Sequence, residues 1–342
     1  MMREKIFLKP ITPIFIGSGE DYYPQDYFIL DDKIHFIDKT KFLEKLKKEN
    51  KLDEFIKVSE DINELLEFID DNADEKVSLD VIEGDDWVIK SLLNTISRPL
   101  SGFIKDKFLF KPIIPGSSLK GVVRTALLDY CVREYKDEIE KILKKFNLTL
   151  KKVNSQTLET IVFCNANTKN NKLQFDPKVD ILKALYISDL KPINYTLKAI
   201  SPKNKPYKKN KLNSIPVIIE SLIDGEFEGE IRIDREFIRR DKNLRENRFL
   251  SNLSIELIKI ALKEFFTKVS EIENNRFKVT QIEYRDFNIK LGKFAGGGSK
   301  SINELRKITI KQINKVFDYQ LSVWIYEDMP LGWAKLEFKG KK

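Results

Sequence analysis

Three short segments of this 342-residue chain combine glycine and serine, two of them with basic side chains as well, in a way that could grip an anion. The first is Ile114-Pro115-Gly116-Ser117-Ser118-Leu119-Lys120-Gly121-Val122-Val123-Arg124-Thr125. Pro115 and Gly116 end a predicted strand, Ser117 and Ser118 offer N-caps, and a helix is expected to begin. The first N–H groups of such a helix lack intrahelical partners and carry partial positive charge, which suits a phosphate. Leu119, Val122 and Val123 should point inward, so Lys120 and Arg124, spaced i and i+4, are expected to share the opposite face. Gly121 beside them would admit a close backbone approach. The second segment is the glycine-rich run from Gly292 to Lys300, with Lys293 and Lys300 flanking Gly296, Gly297, Gly298 and Ser299. Ordering such a run costs roughly 1 kcal/mol or more per residue, which a backbone lying flat on a ligand could offset. The third is Gly17-Ser18-Gly19, expected to be a turn and a third backbone contact. Neither longer segment has the spacing of an NTP-binding P-loop: Gly121 is followed by Val122, and Ser299 precedes Lys300-Ser301.

Composition narrows the chemistry further. His35 is the only histidine, which excludes a histidine-based triad, a His-rich metal site and a two-histidine ribonuclease within the chain. It lies between Ile34 and Phe36 and faces the other way; a packed or solvated ring is the plain reading, a general base the sharper one. Glu20, Asp21, Asp26, Asp31 and Asp32 cluster in sequence but match no metal-binding spacing, so no metal and no cofactor are expected. Cys131 and Cys164 are too few for a disulfide scaffold, and a reducing cytoplasm is expected. No apolar run reaches the roughly 18 residues of a membrane span, and the opening MMREKIFLKP lacks the apolar core of a secretory signal. The net charge of +8 is unevenly spread: residues 51–86 hold fourteen acids and three lysines, or −11, leaving +19 on the remainder. A polyanion is favoured on one side of such a molecule and disfavoured on the other.

The elements that position these segments can be read in outline. Residues 5–16 read as an edge or bulged strand with Pro10 and Pro13. Residues 25–30 and 33–37 read as a hairpin across Asp31-Asp32. Asp38 should cap a helix carrying Phe42, Leu43 and Leu46. The acidic stretch should continue helically on a stripe of Phe55, Ile56, Ile62, Leu65, Leu66 and Ile69. Residues 103–114 read as a strand leading to a helix over 117–134, with Cys131 in the core. Further helix is expected over 137–163. Residues 191–215 hold seven lysines, no acid and several prolines, and read as an irregular basic junction. Strands follow at 216–222 and 226–233, helices at 251–273 and 302–317, and strands at 286–291, 319–326 and 332–339. Arg239, Arg240, Arg245 and Arg248 alternate with acids and read as solvated helix. The expected fold class is α+β, with two modules at 1–190 and 216–342 and a helical insertion at about 38–75.

Together these segments resemble the RAMP superfamily of CRISPR-associated RNA-binding proteins. Within it, the likeness is to the subunit that caps the type III-A (Csm) effector complex at the 3′ end of its guide RNA. The resemblance runs through Leu8-x-x-Ile11-Thr12-Pro13-Ile14-Phe15-Ile16-Gly17-Ser18-Gly19, Gln25-Asp26-Tyr27 and Ile37-Asp38. Its most specific stretch is Phe110-x-Pro112-Ile113-Ile114-Pro115-Gly116-Ser117-Ser118-Leu119-Lys120-Gly121-x-x-Arg124-Thr125-Ala126. It continues with Asp176-Pro177, Ile187-Ser188-Asp189, Glu220-Ser221-Leu222-x-x-Gly225-x-Phe227-x-Gly229, Leu291-Gly292-Lys293 through Ser299-Lys300, and Leu331-Gly332-Trp333. One departure is that no aromatic stands among Ala295-Gly296-Gly297-Gly298, so base stacking is not expected there. The resemblance implies two RRM-like (ferredoxin-like) modules and non-catalytic binding of the 3′ part of the guide RNA. The implied neighbours are the repeated backbone RAMP subunit, the small helical subunit and recruited ribonucleases. The alternative is an endoribonuclease that processes precursor guide RNA or cuts target, which would need His35, a Tyr–Lys pair or an acidic metal cluster.

Overall fold

In the first strand, Met2–Pro10, Ile6 and Leu8 are buried while Lys5 and Lys9 are exposed, the period-two pattern of a strand with one covered face. This computed structural model describes residues 2–95, 98–169, 171–207, 216–277, 279–280, 288–303, 308–310, 315–317 and 319–340. The first strand lies antiparallel between Ile218–Ile233 and Trp333–Gly340. Lys191–Ile200 pairs antiparallel with the far edge of Ile218–Ile233. The helix Gly116–Glu134 leads from the first of these four strands towards the second, and Ile255–Arg276 leads from the third towards the last. Across the sheet the order is last, first, third, second, which is the arrangement of a ferredoxin-like unit. Both helices cover one face. Leu119 and Val123 of one and Leu262 of the other meet Ile6, Ile231 and Leu336 around a void of only about 10 Å³, at the lower limit for one water. Cys131 faces this core, and burial pushes its thiol pKa up to about 12.

This unit draws strands from both halves of the chain, so the expected boundary between modules at 190 and 216 falls inside it. The basic stretch is regular over its described part. Lys191–Ile200 is a sheet strand with register shifts between Pro192 and Asn194 and between Thr196 and Leu197, and Lys203–Pro206 pairs with Ser322–Tyr326. Prolines are tolerated there because they sit at a register shift and at a strand end; residues 208–215 lie outside the described residues. The two strands expected at 216–222 and 226–233 are one sixteen-residue strand. Within the expected helix 302–317, Ile308–Ile310 and Lys315–Phe317 form an antiparallel pair, in line with the β-branched Ile-Thr-Ile run. Residues 103–114 are not one strand: after Leu100–Phe103 the chain forms a tight hairpin bridged between Lys105 and Pro112.

Beyond Lys191–Ile200 the sheet extends through Ser78–Gly84, Lys33–Ile37 and Tyr27–Leu30. Ser78–Gly84, after the expected helical insertion at about 38–75, is a strand that the sequence reading did not assign. The hairpin turn places Asp31 and Asp32 at φ 50° and 58°, as a two-residue loop of matching twist requires. The Asp38 side chain accepts from the Thr40 and Lys41 N–H groups and starts Lys39–Lys48. Leu52–Val58 and Ile62–Asn72 follow, and their satellite core is Phe42, Leu46, Phe68 and Ile69 against Phe28, Ile37 and Val77. Ile56 and Ile62 of the expected stripe are exposed, at 64% and 41%; Phe68 takes the inward position instead. The arginine-rich segment forms two short helices with surface pairs Arg240–Glu236 and Arg245–Glu246.

Two side chains singled out for chemistry serve packing. Arg124 reaches Asp180 at 2.7 Å and Glu159 at 2.8 Å and stacks on Phe163 at 4.3 Å. His35 is buried against Phe28, with Nδ1 2.9 Å from Ser78 Oγ. Arg124→Ala strands two carboxylates beside the core, so we expect a loss of about 2 kcal/mol or more in denaturant-derived stability. Burial holds the His35 imidazole below its ordinary pKa of 6.5. The unfolded chain therefore takes up this proton first as pH falls. The contribution is undiminished above about pH 6.5 and declines as pH drops through the window down to the folded value. His35→Gln should flatten the stability-versus-pH curve in that window; an unaltered curve would show that His35 is not titrating differently in the two states.

Candidate nucleic-acid interface

The three segments singled out in the sequence come together. Ile16 and Gly17, the face of Gly116–Glu134 carrying Ser118, Gly121 and Thr125, and the two ends of the glycine-rich run, Lys290 to Lys293 with Ser299 and Lys300, line one cleft of about 420 Å³; Gly296, Gly297 and Gly298 lie outside its lining. Its described walls include Lys290, Lys293 and Lys300 and no carboxylate, but Lys290 is buried and paired with Glu273, which leaves two exposed cations. A larger cleft, about 730 Å³, is bordered by Asp85, Glu327 and Asp328 against Lys203, and such walls disfavour a polyanion. The sheet face away from the helices is no better suited to RNA. Arg3, Lys5 and Lys9 are paired with Glu230, Glu228 and Glu226 across the strands, and Phe7 lies under Lys339.

The helix start differs from expectation. Neither Ser117 nor Ser118 is the cap; the position before the helix is Pro115, and the Gly116 N–H donates to Asp189 Oδ1 at 2.8 Å. The leading amide is thus satisfied by the chain's own carboxylate. Gly116 is glycine for packing, since a Cβ there would sit 2.1 Å from the Ile187 carbonyl oxygen. Lys120 and Arg124 do not share a free basic face. Lys120 Nζ donates to the Leu185 carbonyl at 2.8 Å, with its pKa lowered by burial, and Arg124 is held by Asp180 and Glu159. Once two elements flank a helix, both of its sides are partly covered. Gly121 remains exposed with open space where a side chain would be.

The glycine-rich loop is shaped mainly by its own protein. Gly296 has φ 83°, and a Cβ there would sit 2.2 Å from Gln320 Oε1. The Gly298 N–H donates to that same oxygen at 3.0 Å. Gln320 Nε2 and Trp333 Nε1 in turn donate to the two oxygens of Glu273, each at 3.2 Å, and Lys290 is bonded to Glu273 as well. Burial lowers the Lys290 pKa against the opposing pull of Glu273. Gly297, Lys293 and Lys300 are left exposed on the loop. Lys300 Nζ lies 3.5 Å from the Lys293 carbonyl, and partial burial lowers its pKa. Ser299 is buried and donates to the Ala295 and Gly296 carbonyls.

Gly17-Ser18-Gly19 opens a strand rather than forming a turn, with Gly17 opposite Phe103 and Gly19 at φ 87°. All three residues are exposed, but Ser18 Oγ is engaged with Glu20 and Gly102, and only Gly17 lines the cleft. The roles of Asp189, Glu273 and Gln320 escaped the sequence reading. Asp189 could have been noticed, because it ends one of the segments that carry the family resemblance.

The RAMP superfamily model matches residues 7–284. Over 246 residues the chain is 32% identical to the CRISPR system Cms protein Csm5 of Methanocaldococcus jannaschii, covering 69% of this chain and 54% of that protein. Over 234 residues it is 26% identical to the protein of the same name from Streptococcus thermophilus, covering 64% and 60%. It thus spans between half and two thirds of the length of these relatives. Among solved structures, a chain of the cryo-EM structure of the Csm–crRNA–target RNA ternary complex of a type III-A CRISPR–Cas system superposes with a TM-score of 0.75 at 22% identity, covering 98% of this chain and 100% of that one. The crystal structure of T. onnurineus Csm5 gives 0.65 at 21% identity, covering 96% and 99%. These two likenesses are likenesses of fold. With a superfamily match over most of its residues, and the glycine-lined segments of that resemblance gathered around one cleft, the chain belongs to the RAMP superfamily.

Proposed function

We propose that this chain is a non-catalytic, guide-RNA-binding subunit of a type III-A CRISPR effector complex, and that it holds the 3′ part of the guide in the cleft between Gly17, Gly121 and the Lys293–Lys300 loop. One observation carries the reading: three segments far apart in sequence line a single cleft with lysines and no described carboxylate. The relatives named Csm5 and the fold shared with a chain of a Csm–crRNA–target RNA complex support the RNA and the assembly. The neighbours proposed are the repeated backbone RAMP subunit and the small helical subunit, with ribonucleases recruited for guide maturation, in the cytoplasm. Among the described residues no helix is long and apolar enough to cross a membrane.

The charge layout fits this reading. The strand Asn288–Lys290, at the cleft, ends the sheet on one side, and Tyr27–Leu30, beside the acidic helices, ends it on the other. Seven strand spacings separate them along the sheet path, on the order of 30 Å. The Debye length at physiological salt is about 8 Å, so the acidic end does not cancel the field at the cleft.

In this scheme the phosphate-facing cations are Lys293 and Lys300, while Lys120 and Arg124 position the helix. The double variant Lys293→Ala/Lys300→Ala should weaken binding of single-stranded RNA. It should also lower the slope of log affinity against log salt by about 0.7 per lysine. An unchanged slope would remove the loop from the interface. Highly purified protein should leave single-stranded RNA intact with and without a divalent metal; cleavage that co-purifies with the chain and disappears in His35→Ala would favour the ribonuclease reading.

A further inference from the structure

The hairpin at residues 105–112 exposes what a soluble protein ordinarily hides. Phe108 is 95% exposed and Leu109 66%, yet the N–H groups of both, and those of Asp106 and Phe110, are hydrogen-bonded within the hairpin. The Asp106 N–H donates to the Lys111 carbonyl and the Phe110 N–H to the Asp106 carbonyl, at 2.8 and 2.9 Å. Asp106 Oδ1 accepts from the Phe108 and Leu109 N–H groups at 2.9 and 2.8 Å, and these two donors hold the Asp106 carboxyl below its usual pKa. The base is anchored in the core. Lys105, nearly buried, bonds Glu220 at 2.6 Å and Asp80 at 3.1 Å, with its ammonium over the Phe36 and Phe110 rings. The tip is therefore built in advance, with an aromatic ring standing in water.

Its neighbours say what the ring is for. The Ile104 N–H donates to the Ile16 carbonyl at 2.8 Å, beside Gly17 of the cleft. After Ile114 the same chain enters the helix whose Ser118, Gly121 and Thr125 form another cleft wall. Lys107 and Lys111, both exposed, flank the tip. An exposed aromatic between lysines, on a rigid loop continuous with a basic cleft, matches how single-stranded nucleic acid is held: phosphate by cations, base by a π-face. The one aromatic of the glycine-rich run, Phe294, is half-buried against Phe15 and Trp324, so a free stacking face is better sought on another segment.

We infer that Phe108 is a stacking platform for an unpaired base of the bound RNA, on the hairpin whose base joins the cleft wall at Ile16, with Leu109 covering the edge of that base. This rests on the RNA-binding reading above and adds a subsite to it. A labelled single-stranded RNA oligonucleotide carrying 2-aminopurine at successive positions tests it with the full-length chain. Phe108→Ala should weaken binding about 5- to 100-fold and leave the salt slope unchanged, because no phosphate contact is lost. Phe108→Tyr should restore affinity, and one 2-aminopurine position should be quenched by the wild-type protein but not by Phe108→Ala. The residue touches almost nothing in the fold, so thermal stability should not move. Wild-type affinity in Phe108→Ala overturns the inference. If Lys293→Ala/Lys300→Ala still lowers the salt slope in that case, the cleft reading survives and only the stacking subsite fails; if neither variant alters RNA binding, both fail. Loss of assembly with purified neighbouring subunits at unchanged RNA affinity would make the tip a protein contact and likewise overturn it.

Discussion

Glu273, 1% exposed near the end of the long helix Ile255–Arg276, is the constraint on which the cleft depends. An isolated carboxylate at that depth would be strongly disfavoured. Three donors from three separate places satisfy it: Lys290 on an edge strand, Trp333 at the start of the last strand, and Gln320 before Ser322–Tyr326. Gln320 passes the constraint on, since its carbonyl receives the Gly298 N–H and its bulk leaves no room for a side chain at Gly296. The position of the glycine-rich loop is thus fixed from below by a buried charge. The loop's exposed surface, with Lys293, Gly297 and Lys300, is what remains for a ligand.

The same economy recurs at the other cleft wall. Asp189 takes the leading amide of Gly116–Glu134, and Asp180 with Glu159 takes Arg124. In both places the protein satisfies the groups most attractive to an anion before any ligand arrives. Such groups are costly to leave half-buried and unpaired, and the cleft cations left exposed are Lys293 and Lys300. Under the proposed RNA-binding role, that arrangement would suit contact along a backbone more than a tight pocket for one phosphate.

Charge separation completes the design. The acidic helices carry their own small core and hang on the far edge of the sheet. Screening keeps the two ends of the molecule electrically independent. The face of the sheet away from the helices is covered by cross-strand ion pairs and contributes little field of either sign.

The sequence by itself determined the elements whose signals are local. β-rich residues marked the first strand, although as an edge or bulged strand over 5–16 where the structure has an inner strand ending at Pro10; the i, i+3, i+4 stripe marked Gly116–Glu134, Asp31-Asp32 marked a turn, and Asp38 marked a helix start. It also picked out the three segments that contribute to the cleft, because glycine and serine at the end of an element, beside lysine in two of the three, are visible in one dimension. What it could not decide were long-range matters. A boundary drawn at the lysine-rich stretch missed that Lys191–Ile200 and Ile218–Ile233 are neighbours in one sheet, because strand pairing joins residues that composition separates. Lys120 and Arg124 read as free cations because their partners, Leu185, Asp180 and Glu159, come from segments 35 to 65 residues away. Whether a charge is available to a ligand depends on what else is packed beside it, and only the tertiary structure decided that.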